Sequence, residues 1–324
     1  MKKRNLLLML IFLFTLTACS TKDNKTQDNS LVIGFSQSGI ESSWRKYHTQ
    51  SIRSELTEKN QVLYRNGYMD QDKQIQDIRT FIAYKVDAII LSPLKEDGWQ
   101  TVLQEAKKAK IPVFVVDRHI NVSDTDLFVT HIGPNFKAQG NRAGLFVKNY
   151  FADKKQKQIN VLELKGLENT SVSSSRAEGF KETIAQDKRI KIADELTGDF
   201  IRAKGKEEIQ KYIKEKDISD IDVLYSHNDE MTLGALEALK NTSIIPGKDL
   251  VIVTIDGQEE AIEQLKKGNI NCVVENNPDA GWFVANALDK YFAKEKNYTL
   301  PKEIYMSETV FSENNLSSIP TRNY

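Results

Sequence analysis

Polar side chains that form forked or planar hydrogen bonds follow several short apolar runs in the sequence. The run PVFVVD leads into Asp117 and Arg118, the run DVLYS leads into Asn228, and the run DLVIVTI leads into Asp256. Carboxylate, amide and guanidinium groups can each bridge two neighbouring hydroxyl groups, which is the arrangement that a sugar presents. This pattern therefore predicts a sugar-binding site.

The same pattern ends further runs, and aromatic residues accompany it. Polar residues stand at positions 36–37 and 275–277, and Trp44 and Phe200 are placed to cover the apolar C–H face of a sugar ring. Any single Ser, Asp or Asn could equally be a helix N-cap, because these residues favour that position after a strand. Because such polar residues recur at four or five predicted strand ends, a shared binding site is favoured over a set of separate helix caps.

The elements that must position these residues alternate between strand and helix patterns. The apolar runs are short, continuous and rich in Val and Ile, as strands buried on both faces are. Segments between them have helical periodicity, as at Ile75, Ile78 and Ile82. The repeated βα pattern predicts an α/β fold of two Rossmann-like lobes with parallel sheets and a ligand cleft. The predicted strands are residues 31–36, 61–64, 86–92, 112–117, 127–132, 158–164, 189–193, 222–226, 249–255 and 271–275.

The N-terminus has the pattern of a bacterial lipoprotein signal. Basic residues 2–4 precede an apolar run at 6–16, which is too short to span a bilayer, since spanning needs about 20 residues. Small residues then precede Cys19, as in a lipobox. We therefore expect residues 1–18 to be a signal peptide, Cys19 to be lipidated, for example with palmitate, and residues 19–30 to be a flexible tether on the membrane.

Composition and motifs exclude several classes of function. The 45 basic residues equal the 45 acidic residues, which argues against a nucleic-acid partner. The four histidines, at positions 48, 119, 131 and 227, show no metal-ligand spacing, and neither a nucleophile elbow nor a phosphate loop occurs. We therefore expect no catalytic residue, no cofactor and no metal.

Eight stretches resemble the sugar-binding proteins of bacterial ABC importers, within the ribose-binding and LacI-like type of periplasmic binding proteins. The resemblance is greatest to galactofuranose-binding members and extends from about residue 31 to about residue 300. The stretches are GFSQSGIESSWR (34–45), VDAIILSPLKEDGW (86–99), IPVFVVDR (111–118), SRAEGF (175–180), TGDFIRAKGKE (197–207), YSHNDEMTLGALEALK (225–240), PGKD (246–249) and IDG (255–257).

The resemblance implies a type I periplasmic binding protein, in which a three-crossover hinge lets two lobes close on the ligand. It implies one lobe of residues 31–133 plus 276–306 and another of 134–275 plus 307–324, with crossovers near 132–135, 275–278 and 305–309. The sugar-binding residues that it implies are Ser36, Trp44, Arg45, Asp70, Asp117, Arg118, Arg176, Phe200, Asn228, Asp256 and Glu275.

The function implied is that of a monomeric, lipid-anchored protein on the extracytoplasmic face of the membrane. It would capture a monosaccharide, a galactofuranose-like hexose or fructose, and deliver it to an ABC permease. The alternative is a sensor that presents the sugar to a histidine kinase or chemoreceptor. A LacI-type repressor would need an N-terminal helix-turn-helix where this chain has a signal. An enzyme would need a nucleophile–base pair or a metal constellation.

Overall fold

The computed structural model describes residues 30–293 and 299–324, and Leu31–Tyr324 forms a compact unit by itself. The predicted signal, Cys19 and nearly all of the predicted tether lie outside the described residues. No helix within the described part of the chain is long and apolar enough to cross a membrane.

The first sheet has six strands in the order β11-β5-β4-β3-β1-β2, and all its pairings are parallel. Each strand except β11 is followed by a helix or a helical turn, which is the arrangement that the sequence pattern predicts. The strands are β1 Val32–Gln37, β2 Gln61–Asn66, β3 Ala88–Ser92, β4 Val113–Val116, β5 His131–Gly133 and β11 Glu303–Tyr305.

The second sheet also has six strands, in the order β12-β10-β9-β8-β6-β7. Its pairings are parallel except that β12 runs antiparallel to β10 at one edge. The strands are β6 Ile159–Lys165, β7 Ile190–Thr197, β8 Val223–Ser226, β9 Val251–Asp256, β10 Cys272–Glu275 and β12 Val310–Ser312.

Helices connect the strands, and short polar side chains begin several of them. Ser42, Asp70, Asn135, Thr170 and Asn228 each accept a hydrogen bond from a backbone N–H of the first helical turn. The helices are α1 Ser43–Thr57, α2 Gln71–Ala83, α3 Gln100–Lys108, α4 Phe136–Tyr150, α5 Ser171–Ile184, α6 Arg202–Glu215, α7 Asp229–Leu239, α8 Glu259–Lys266 and α9 Gly281–Ala293.

The predicted α/β class with parallel sheets is confirmed, and the differences from the predicted strands concern β5 and the edge strands β7, β11 and β12. The predicted strand at 127–132 was wrong in its first half, because Thr125–Leu127 forms a 3-10 turn and β5 begins only at His131. The predicted strand at 189–193 continues to Thr197. Strands β11 and β12 were not predicted, because three residues are too few to show a period-2 pattern.

The chain passes between the two sheets three times, after Gly133, after Glu275 and after Tyr305. As a result, residues that are distant in sequence share one core. In the first sheet, Phe35 and Phe114 pack in one buried cluster with Val284 of α9 and with Met306. The last strands of the chain, β11 and β12, each form one edge of a sheet, so neither sheet is complete without the C-terminal segment.

Candidate functional site

A cavity lies where the carboxyl ends of strands from both sheets meet, the place where open α/β sheets bind ligands. The enclosed volume between its lining residues is small, about 30 Å³. Its residues come from the start of α1, the segment after β4, helices α4 and α5, the segment before α6, and the ends of β8, β9 and β10. They are Glu41, Ser42, Trp44, Arg45, Asp117, Arg118, Phe136, Val172, Arg176, Phe200, Asn228, Asp256 and Asn276.

The structure brings most of the sequence-predicted residues together in this cavity. Residues separated by more than 200 positions in the chain face the same space. The eight predicted residues that line it are Trp44, Arg45, Asp117, Arg118, Arg176, Phe200, Asn228 and Asp256.

Three predicted residues lie outside the cavity lining, and their contacts explain why. Ser36 is fully buried near Gln74 of α2, with 3.4 Å between its Oγ and the Gln74 Nε2. Asp70 caps α2 by accepting hydrogen bonds from the backbone of the first turn. Glu275 accepts hydrogen bonds from Arg322, at 2.6 Å, and from the Thr309 backbone, at 2.9 Å. Each of these side chains has a structural partner, and its contact with a sugar stays a prediction.

Five lining residues were not among the predicted ligands: Glu41, Ser42, Phe136, Val172 and Asn276. A signal existed for two of them, since Glu41 precedes the SSWR stretch and Asn276 directly follows the end of β10. Phe136 and Val172 sit in the first turns of α4 and α5, where an apolar residue normally indicates core packing. Sequence alone therefore gave no reason to select them.

On the side of the first sheet, two arginines surround one carboxylate. Asp117 follows β4 and forms a buried ion pair with Arg45, while the Nε of Arg118 lies 4.0 Å from the Asp117 carboxylate. Burial alone would raise the pKa of Asp117, but the charges of Arg45, His48 and Arg118 lower it overall. Burial and the nearby Arg45 charge lower the pKa of Arg118 to about 10. Asp117 thus stays ionised and stabilises two buried cations.

On the side of the second sheet, Arg176 of α5 faces Asp256 at the end of β9. Their closest charged atoms are 3.6 Å apart, and Asp256 also accepts a hydrogen bond from the Asn276 side chain at 3.0 Å. Burial raises the pKa of Asp256. Asp229 fixes the following turn, because its carboxylate accepts hydrogen bonds from the backbone N–H groups of residues 257 and 258, each at 2.7 Å.

Three lining residues hold backbone conformations that L-residues rarely adopt. The φ angles are 64° at Asp117, 65° at Phe200 and 133° at Asp256. Such conformations cost about 1–3 kcal/mol each and persist only where the surroundings enforce them. At Phe200, the missing side chain of Gly166 makes room for the ring, since a Cβ on Gly166 would overlap it. The fold therefore directs these side chains into the cavity at a cost in stability.

Several guanidinium nitrogens at the cavity are buried without a hydrogen-bond partner among the described residues. They are Nε of Arg45, Nε of Arg118 and Nη2 of Arg176. An unpaired buried donor costs about 1–3 kcal/mol, and more when it is charged. A ligand with several acceptor oxygens would satisfy them. The three donors come from both sides of the cavity, so such a ligand would bridge the two sheets.

Aromatic rings supply the apolar part of the lining. The guanidinium of Arg118 lies 5.6 Å from the centre of the Phe200 ring, and that of Arg176 lies 5.5 Å from the centre of the Phe136 ring. Trp44 stacks on His48 and donates its Nε1–H to the backbone oxygen of Asn276 at 2.6 Å. The last contact joins α1 to the end of β10 across the cavity.

Comparison with known proteins agrees with this architecture. The family described as periplasmic binding protein domain matches residues 33–296. The chain belongs to the periplasmic binding protein family. The two parallel-dominated sheets with flanking helices are the type I fold of that family, and this membership places the protein outside the cytoplasm.

Three relatives illustrate the range of similarity. The chain is 37% identical over 281 residues to the galactofuranose-binding protein YtfQ of Escherichia coli (strain K12), covering 86% of each chain. It resembles the periplasmic binding protein component of the arabinose ABC transporter from Shewanella sp. ANA-3, solved with bound α- and β-L-arabinofuranose. The two structures superpose with a TM-score of 0.83 at 37% identity, and the match covers 89% of this chain and 93% of the other. The fructose-binding periplasmic domain of a hybrid two-component system gives a TM-score of 0.78 at 25% identity, covering 89% and 92%.

One buried carboxylate beside the site predicts a pH dependence of stability. Glu308 lies between β11 and β12 and accepts a hydrogen bond from Gln139 at 2.7 Å, and burial raises its pKa to about 7. The folded state therefore keeps a proton on Glu308 at pH values where the unfolded chain has lost it. The free energy of unfolding therefore falls as the pH rises from the ordinary pKa of 4.5 to about 7, and the loss is complete above that value.

Replacing Glu308 by glutamine removes the carboxylate and with it the free-energy cost of burying its charge. Relative to the wild type, the Glu308→Gln variant should gain about 1–3 kcal/mol of unfolding free energy on going from roughly pH 5 to roughly pH 8. Urea denaturation at the two pH values measures it. Glu182→Gln, which changes an exposed carboxylate paired with Lys137, is the control and should show no such trend. Equal pH profiles for Glu308→Gln and wild type would contradict the assignment.

Proposed function

We propose that this protein captures a monosaccharide in furanose form between its two sheets and delivers it to an ABC permease, without performing chemistry. The observation that carries this proposal is the set of three buried guanidinium nitrogens on one cavity that have a carboxylate within 3.6–4.0 Å but no hydrogen-bond partner among the described residues. The names of two relatives support the ligand class, since one binds galactofuranose and the other was solved with arabinofuranose.

The chemistry of the lining suits a sugar. Each hydroxyl both donates and accepts, so it can accept from an arginine and donate to Asp117 or Asp256. Phe200 and Phe136 offer ring faces to the apolar side of the ligand.

Calorimetry of the 31–324 chain against D-galactose, L-arabinose, D-fructose and D-ribose tests the proposal. At least one sugar should bind in a one-to-one complex and raise the melting temperature. NMR of the bound sugar labelled with ¹³C at the anomeric carbon should then report a furanose. If none of them binds at millimolar concentration, the sugar assignment is wrong. A bound pyranose would refute the proposed furanose form but not the binding of a sugar.

We propose further that the two sheets define two lobes, residues 31–133 plus 276–306 and residues 134–275 plus 307–324, which close by a hinge. Small-angle scattering should show a smaller radius of gyration for a monomer on addition of the ligand. No change, or a dimer, would refute this proposal.

For the N-terminus we propose cleavage before Cys19 and acylation of that cysteine, which would hold the protein at the outer face of the cell membrane. The support is the sequence pattern of residues 2–19. Metabolic labelling with palmitate should mark the wild type but not a Cys19→Ala variant. Unlabelled wild type would refute the anchor.

A sensory role is the second candidate, favoured by the similarity to the fructose-binding domain of a two-component system. Uptake of labelled sugar separates the two roles. Deleting the gene should abolish high-affinity uptake if the protein serves a permease. Unchanged uptake with loss of a transcriptional response to the sugar would favour the sensor.

A further inference from the structure

Three side chains beside the cavity form a cluster that sugar binding does not use. His119 lies two residues after Asp117, His131 begins β5, and Glu303 begins β11. One oxygen of Glu303, Oε2, lies 2.8 Å from Nδ1 of His131 and 3.1 Å from Nε2 of His119. Two imidazole nitrogens thus converge on one carboxylate oxygen.

The hydrogen bonding of His131 orients its ring for a ligand role. Its Nε2 lies 2.8 Å from the backbone oxygen of Asp117, which can only accept, so Nε2 carries the hydrogen. In the neutral ring this leaves a lone pair on Nδ1, and that lone pair faces another acceptor, the Glu303 carboxylate. A proton on Nδ1, or a metal ion bound by both groups, would resolve the conflict. Metal-binding histidines commonly donate their second N–H to a backbone carbonyl in this way.

The third group makes a metal ion fit the cluster better than a single shared proton. The three candidate ligand atoms of His119, His131 and Glu303 lie within 4.8 Å of one another. Ligand atoms on a tetrahedral zinc ion lie roughly 3.3 Å apart, so small movements would bring all three to bonding distance. The two rings are stacked with centres 3.7 Å apart, so His119 must turn to direct its lone pair at the ion.

His119 and Glu303 are partly exposed to solvent, so the His119 ring can rotate and an ion can enter the cluster. The side chain of His131 is 1% exposed, whereas His119 is 33% and Glu303 is 35% exposed. The buried histidine is therefore fixed, and the two exposed ligands can adjust. The fourth coordination position would face solvent.

We propose that His119, His131 and Glu303 bind a divalent transition-metal ion of the zinc class. Two nitrogens and one carboxylate are a ligand set that such ions accept. The ion would tie the segment after β4 to the edge strand β11 and to its neighbour β5 in the first sheet. The His119 backbone also donates to the Ser171 side chain of α5 at 2.9 Å. The ion would therefore stabilise a segment that contacts the opposite side of the cavity.

Zinc titration of the untagged 31–324 chain tests this proposal. Competition with a chromophoric chelator should show one Zn²⁺ per chain, and Co²⁺ should give visible absorption bands of a low-coordinate site. His119→Ala and Glu303→Gln should each weaken Zn²⁺ binding by at least about 10- to 100-fold, since loss of a group that only supports a metal ligand already costs that much. Both positions are partly exposed, so the variants should fold.

Glu195→Gln is the matched control. Glu195 is also a partly exposed strand carboxylate with a cationic partner, Lys165, but it lies on the second sheet. The Glu195→Gln variant should bind Zn²⁺ with the same affinity as the wild type. Absence of a one-to-one zinc complex in the wild type, or equal affinity in all four proteins, would overturn the proposal. Neither result depends on which sugar the protein binds.

Discussion

Replacing Arg176 by alanine is expected to weaken sugar binding by about 2–4 kcal/mol, or roughly 30- to 1,000-fold. The guanidinium is 1% exposed and donates to Gln139 and to the backbone of His227, while its Nη2 lies 3.6 Å from Asp256 without a hydrogen-bond partner among the described residues. The variant loses a charge-assisted bond to the ligand. It also leaves Asp256 buried beside the cavity without its nearest cation.

Calorimetry with the sugar selected by the binding screen measures this effect. Arg202→Ala is the matched control, because Arg202 also pairs with two carboxylates, Glu230 and Glu260, yet does not line the cavity. Near-ultraviolet circular dichroism establishes that both variants are folded. If folded Arg176→Ala binds the sugar as tightly as Arg202→Ala does, Arg176 is not a ligand.

The largest effect on stability is expected from Asp117→Asn, about 3–5 kcal/mol of unfolding free energy in the absence of sugar. The change removes the carboxylate between Arg45 and Arg118, whose side chains are 6% and 2% exposed, and leaves two buried cations close together. Asparagine tolerates the left-handed backbone of position 117, so the change isolates the charge.

Asp199→Asn is the control for this experiment. Asp199 has a left-handed backbone too, with a φ angle of 53°, but its ion-pair partner Lys204 is 42% exposed. Urea denaturation should show a loss below about 1 kcal/mol for that variant. The loss at Asp117 should shrink toward acid pH. Protonation of the wild-type Asp117, whose pKa is lowered, removes the same charge there. Equal losses in the two variants would contradict the buried-charge argument.

The sequence predicted the long central strands well and missed the three-residue edge strands β11 and β12, for a physical reason. Central strands such as β4 and β9 are buried on both faces and therefore read as unbroken apolar runs. Edge strands β11 and β12 need only a few backbone hydrogen bonds, so their sequences EIY and VFS carry no such pattern.

The site was predictable where the polar residue follows a central strand. Asn228 and Asp70 both follow a strand and both cap a helix, so their local sequences look alike. Strand β8 lies inside its sheet, whereas β2 is at an edge, and only Asn228 reaches the cavity. Sheet order arises from long-range pairing, which neither local pattern reveals.

A second limit appears at the end of β10. Glu275 and Asn276 are adjacent polar residues, and successive side chains of an extended segment point in opposite directions. Only Asn276 lines the cavity, while Glu275 pairs with Arg322 from the C-terminal segment. Choosing between the two required the position of Arg322, which is 47 residues away.

The repeated passage of the chain between the sheets has a consequence for how the protein is made. The buried cluster that contains Phe35 and Ile90 also needs Ala280, Val284 and Leu288. A nascent chain therefore cannot close the core of its first sheet until nearly the whole polypeptide has been synthesised. Because the contacts that close this core join distant parts of the chain, the first sheet should fold more slowly than a core built from local contacts.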